Sequence, residues 1–132
     1  MAIIPFDQRD GWIWYNGEIV PWRDAKIHVL THGLHYGSCV FEGERAYGGQ
    51  IFKTTEHSIR FRKSAEIMDF EIPYSVDELN AAKEKVVELN GGGDQYVRPV
   101  AWRGSEMMAV SAQHNKIHVA IATWAWPSMF DP

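Results

Sequence analysis

Alternating and helical spacings of apolar residues divide the chain into a short series of elements. Trp12-Ile13-Trp14-Tyr15 and Glu18-Ile19-Val20 flank Asn16-Gly17, a dipeptide that accepts positive φ at both central positions of a type I′ turn. A β-hairpin is predicted there, ended by Pro21. Ala25 to Leu30 alternates apolar and polar residues and predicts another short strand. Val40 to Tyr47 and Gln50 to Lys53 flank Gly48-Gly49 and predict a second hairpin. Thr54 or Thr55 offers an N-cap for a helix reaching about Met68, with Phe61, Ala65 and Met68 along one face and Glu56 in its first turn. Ser75 and Glu78 form a capping box, after which Leu79, Ala82, Val86 and Leu89 recur at steps of three and four. This second amphipathic helix is ended by Asn90 and Gly91 to Gly93. Tyr96 to Trp102 reads as a strand, and Pro99, which cannot donate to a ladder, makes it an edge strand or one with a local irregularity. Lys116 to Ala125 is apolar on both faces, the pattern of a covered strand. The series predicts an α+β fold: a mostly antiparallel sheet with two helices packed on one face.

One stretch does not reduce to periodicity. Thr31 to Arg45 reads T-H-G-L-H-Y-G-S-C-V-F-E-G-E-R, rich in aromatic, histidine and glycine residues, with Glu42 as its first carboxylate. Gly33, Gly37 and Gly43 stand where a backbone needs positive φ or passes close to a neighbour. Tyr36 and Phe41 offer broad apolar faces to an organic ligand. The plainer reading is a glycine-punctuated entry into a buried strand.

Composition narrows the classes. A chain of 132 residues with 45% apolar content is one domain able to close a single core. A net charge of -4 offers no broad basic field, so nucleic acid is not an expected partner. Cys39 stands alone, which rules out an internal disulfide. Neither a signal-like start nor a membrane-length apolar run is present, so a soluble cytoplasmic protein is expected. Six tryptophans, five tyrosines and six phenylalanines suit an interface or organic-ligand pocket as well as a core. Residues 1–11 read as an arm, 12–126 as the domain and 127–132 as the start of a linker. Trp124, Trp126 and Phe130 near the carboxyl terminus give the impression of an interrupted domain.

Candidate chemistry is sparse. His28, His32 and His35 have the spacing of ligands on one helix face, but Gly33 and Gly37 argue against a stable helix and no cysteine pair accompanies them. Hydrogen-bonding roles are expected instead, and no metal. Cys39 reads as a small buried hydrophobe. Arg60 by itself is an ordinary solvated helix charge. Tyr96 and Arg98, two apart on a strand, point the same way and make a receptor for a carboxylate.

Four motifs together carry a resemblance. W-x-N-G at Trp14 to Gly17, A-K-I-H-V-L-T-H-G-L-H-Y-G-S-C-V-F-E-G at Ala25 to Gly43, E-H-S-I-R at Glu56 to Arg60 and Y-V-R-P at Tyr96 to Pro99 resemble the amino-terminal domain of branched-chain amino acid aminotransferases. These are pyridoxal-phosphate enzymes of fold type IV. The resemblance implies that Arg60 grips the phosphate of pyridoxal 5'-phosphate and that Tyr96 and Arg98 handle substrate carboxylates. It implies further that Phe41, Gly43 and Trp126 line the pocket for the branched side chain. Tyr36, Met108 and Val110 match residues that the family donates across a homodimer interface into the partner's pocket. The expected reaction is amino transfer between leucine, isoleucine or valine and 2-oxoglutarate. The Schiff-base lysine belongs to a second domain that this chain does not match, so the chain by itself is expected to be inactive and to carry no catalytic residue. Met129 stands where relatives place a pocket tyrosine. Two other readings share the fold: a non-catalytic ligand-binding or interaction module, and a relative such as a D-amino acid aminotransferase or an aminodeoxychorismate lyase.

Overall fold

A computed structural model of the chain describes residues 4–126. Met129 and the segment after Trp126 lie outside the described residues. The first hairpin forms as predicted, β1 (Trp12–Tyr15) against β2 (Glu18–Pro21), with Asn16 at φ 50° and Gly17 at φ 91°. A short helix α1 (His32–Tyr36) follows, then β3 (Cys39–Phe41), β4 (Glu44–Tyr47) and β5 (Gln50–Ile51). Helices α2 (Thr54–Ile67) and α3 (Val76–Leu89) precede the two long strands β6 (Gln95–Arg103) and β7 (Ile117–Ala125). All strand pairs among the described residues are antiparallel, in the order β2-β1-β7-β6-β4-β5, with β3 also on β6. This is the predicted α+β sheet.

Both long helices cover one face. Phe61 and Ala65 of α2 and Leu79, Ala82 and Val86 of α3 meet Trp14, Ala46, Val97, Val119 and Ile121 of the sheet, nearly all without solvent contact. Each large side chain so buried contributes about 1.5–3 kcal/mol through the area it removes from water. Ser75 caps α3, its hydroxyl accepting from Glu78 N–H at 3.1 Å while the Glu78 carboxylate accepts from Ser75 N–H at 3.0 Å. The opposite face carries Ile13, Tyr15, Tyr96, Arg98, Val100, Trp102, Ala120, Ala122 and Trp124. Among the described residues, the amino-terminal arm and the irregular segment around Ala25 cover it only in part.

Several expectations are corrected. Ala25 to Leu30 is not a strand: both sheet edges are elsewhere, and Ala25 and Ile27 lie over the open face without joining a ladder. Gly33 and Gly37 do not prevent a helix, since α1 forms one turn and Gly37, at φ 69°, serves as its left-handed stop. Neither Thr54 nor Thr55 is the cap of α2. Lys53 occupies that position with φ 54°, and the Thr54 hydroxyl lies near Lys83 instead. Met68, just past the end of α2, and Leu89, the last residue of α3, are exposed. Strand β6 is central, flanked by β7 on one side and by β3 and β4 on the other. The irregularity expected from Pro99 is therefore the correct alternative. It falls at Glu42-Gly43, where β3 ends and β4 has not begun, although the register is the same on both sides of the break. Cys39 is exposed rather than buried, for its side of β3 faces away from the helices.

Candidate functional site

The break between β3 and β4 organises the site. Because strand residues alternate, Glu42 turns toward α2 while Phe41 lies with Arg98 on the open face. Gly43 is packed against Tyr96. A methyl group on Gly43 would lie 3.2 Å from Tyr96 Cζ and overlap the phenol oxygen, so a glycine is what admits the ring. With that room, the Tyr96 hydroxyl accepts from Arg98 Nη2 at 2.7 Å. The guanidinium stands 4.1 Å above the Phe41 ring. Trp124 and Trp126 stack beside Tyr96, with centroids 4.9 and 5.1 Å away. Five expected site residues, Phe41, Gly43, Tyr96, Arg98 and Trp126, thus come together. The arrangement presents a positive charge and a hydroxyl among aromatic walls, able to fix a carboxylate while an apolar chain lies alongside. Beyond Arg98 the open face continues as a cleft of about 440 Å³ lined by Ile13, Tyr15, Ile27, Leu34, Val100 and Trp102.

Arg60 belongs to a second grouping, on the helix side. Its Nε and Nη2 each donate at 2.8 Å to the two oxygens of Glu42, a bidentate pair. His57, one turn earlier on α2, reaches Glu42 Oε1 through Nδ1 at 2.7 Å. Burial works against the Glu42 charge, but the hydrogen bonds and charges of Arg60 and His57 outweigh it and hold the carboxyl below its ordinary range. Arg60 in turn is held more firmly protonated by Glu42. Glu42 is 3% exposed and the Arg60 side chain 67%, so the carboxylate is an internal anchor and the guanidinium faces outward. Its Nη1 edge, which makes no hydrogen bond among the described residues, suits an anion such as a phosphate. Beneath lies a sealed ion pair between Glu44 of β4 and Lys83 of α3, 2.8 Å apart and wholly buried. Burial raises the Glu44 carboxyl and lowers the Lys83 amine, and each charge only partly restores the other. Lys83 Nζ also donates to Ser58 Oγ at 2.6 Å, and Ser58 to Asn80 Oδ1 at 2.6 Å.

Tyr36 on α1 and Met108 and Val110 in the loop after β6 join neither grouping. They share no hydrogen bond or ring contact with Arg98, Tyr96 or Phe41 among the described residues, and Tyr36 and Val110 are exposed. The histidines around them shape the turn. His35 Nε2 reaches Val29 O at 2.7 Å, and His28 Nδ1 accepts from Leu30 N–H at 3.0 Å.

Sequence reasoning misses Glu42, His57 and Trp124 as members of these groupings. A signal exists for Glu42, the first carboxylate after a long apolar stretch, and for His57, three residues before Arg60 and so on the same helix face. Nothing local ties either of them to the other across the intervening hairpin.

Comparison with known proteins gives a consistent picture. The family described as amino-transferase class IV matches residues 39–131. The branched-chain-amino-acid aminotransferase of Pseudomonas aeruginosa is 52% identical over 122 residues, covering 89% of this chain and 40% of that relative. Among solved structures, the Escherichia coli branched-chain amino acid aminotransferase aligns over 93% of this chain and 42% of its own, with TM-score 0.86 and 38% identity. The branched-chain aminotransferase of the archaeon Thermoproteus uzoniensis, solved with norvaline, aligns with TM-score 0.84 and 33% identity over 90% of this chain and 42% of its own. The chain spans about two fifths of the length of the relatives it matches.

Proposed function

The chain belongs to the amino-transferase class IV family, and on that footing we propose that it is the small domain of a branched-chain amino acid aminotransferase, moving amino groups between leucine, isoleucine or valine and 2-oxoglutarate. The observation that carries this reading is the Arg98 guanidinium, fixed by the Tyr96 hydroxyl at 2.7 Å and by the Phe41 ring at 4.1 Å. A site that accepts both an aliphatic side chain and the second carboxylate of glutamate needs such a charge set in apolar walls. Arg98 and Tyr96 take the carboxylate. Phe41 and Trp126 receive the aliphatic chain and keep water from it, and Gly43 borders that pocket by leaving room for the Tyr96 ring. Tyr36, Met108 and Val110 complete the pocket of a second copy in a homodimer.

Pyridoxal 5'-phosphate, when bound, supplies the electron sink for amino transfer. The donor set present fits its phosphate at one point: Arg60 turns its Nη1 edge outward and is kept charged by Glu42. Glu42, itself held by His57, keeps that guanidinium in place. Lys83 is sealed against Glu44 at 2.8 Å with no exposure, which keeps this lysine from serving as the reacting amine.

Purified 1–132 should show no transamination. Joined in frame to the rest of the Pseudomonas aeruginosa relative, the same residues should support transfer from leucine to 2-oxoglutarate. Activity from the chain by itself, or a folded hybrid that binds cofactor and turns over no branched-chain amino acid, would overturn the reading.

A further inference from the structure

The loop from Gly104 to Lys116 is fastened near its ends. Asn115 Nδ2 donates to Gly104 O at 3.0 Å and to Met107 O at 2.9 Å, and Arg103 Nη1 donates to Ala112 O at 2.8 Å. Between Met107 and Ala112, among the described residues, one hydrogen bond holds it: that from His32 Nε2 to Ala109 O, at 2.8 Å. Ala109 lies between Met108 and Val110, and Val110 is 83% exposed, so little side-chain packing helps to hold this tip down.

The tautomer of His32 follows from its partners. A carbonyl only accepts, so Nε2 carries the hydrogen. In the neutral ring Nδ1 then accepts from the Ser38 hydroxyl, 2.6 Å away. The ring lies against Tyr36 with centroids 4.5 Å apart, and the His32 main-chain N–H donates to Gly104 O at 2.9 Å. At 3% exposure this imidazole is an internal part: it stands one turn before Tyr36 on the same helix and reaches from there to the centre of the loop that carries Met108 and Val110.

We propose that His32 is a positioning residue, whose Nε2–H grip on Ala109 O and ring face against Tyr36 hold Tyr36, Met108 and Val110 as one rigid unit, and through them set the shape of the pocket they complete. The functional half rests on the reading that these three side chains line a substrate pocket. Two amide side chains separate reach from polarity. A glutamine in place of His32 can extend a donor to the position of Nε2, whereas an asparagine reaches only the position of Nδ1 and keeps Ser38 alone.

The test uses the full chain with methyl-labelled methionine and amide hydrogen exchange. In His32→Asn, exchange at Met108 to Val110 should rise about tenfold or more while β6 and β7 amides stay protected, and the Met108 methyl resonance should move toward its free position. His32→Gln should restore both. In the assembled enzyme His32→Asn should raise KM for leucine about fivefold, with kcat changed much less, and His32→Gln should recover it. Unchanged exchange in His32→Asn, or equal loosening in both variants, would overturn the role of His32. A loosened loop with unaltered KM would instead remove Tyr36, Met108 and Val110 from the pocket, and with them the functional half of the proposal. Should His32→Asn fail to fold, Ser38→Ala frees the tautomer while keeping the ring, and must weaken the Ala109 contact detectably.

Discussion

Gly43 shows how much can depend on an absent methyl group. Its neighbour is the Tyr96 ring, whose hydroxyl anchors Arg98. A Gly43→Ala change would push that hydroxyl aside and break the bond. A hydrogen bond to a charged group is worth about 1.5–3 kcal/mol, so the loss in kcat/KM for glutamate in the assembled enzyme should be about tenfold or more. Leucine, which lacks the second carboxylate, should suffer less, and Arg98→Lys should show the same bias because an ammonium lacks the planar fork. Equal losses for both substrates would separate Arg98 from carboxylate selection. The pairing of Tyr96 with Arg98 is legible in sequence because strand alternation is local. The contact of Arg98 with Phe41, and that of Glu42 with Arg60, are not: each joins residues on different elements, and no local spacing encodes which faces meet.

At the level of elements, the ion pair between β4 and α3 carries more weight than its single contact suggests. Lys83 lies on the helix face otherwise filled by Leu79, Ala82 and Val86, and Glu44 meets it from the sheet, 2.8 Å away, both side chains fully buried. Replacing Lys83 with methionine leaves a carboxylate buried without its cation, which costs about 3–5 kcal/mol. The double change Glu44→Gln with Lys83→Met should recover most of that loss, and urea melts of the four combinations give the coupling directly. An additive result would mean that the two charges act independently. Periodicity finds α3 and its capping box because both are written in consecutive residues, but it assigns Lys83 no structural role. A lysine in an apolar stripe looks like solvated charge until the strand bringing its partner is known. The same limit explains Ala25 to Leu30, whose alternation fits a strand but which lies over the open face and joins neither edge of the sheet.

At the level of the whole molecule, the two sheet faces differ in kind. One is closed by α2 and α3 around a continuous core; the other holds the aromatic cluster, Arg98 and a cleft of about 440 Å³. Fold class, strand order apart, can be read from the sequence, since hairpin turns, caps and apolar spacing agree with one another. Strand order cannot, because it depends on pairings between residues far apart in the chain. β1 joins β7 through Trp14 opposite Ile121 and Tyr15 opposite Ala120. That adjacency has a kinetic meaning. The hairpin made first during synthesis has as its sheet neighbour the last of these strands to be made, and loops of that span close slowly. On the ribosome Trp14 must wait for its neighbour Ile121 until Ile117 to Ala125 has left the exit tunnel. A chain stopped before Ile117 should therefore remain protease-sensitive throughout, whereas one extended to Trp126 should acquire protection in its first hairpin and in β7 at the same moment, as pulse-labelled hydrogen exchange would record.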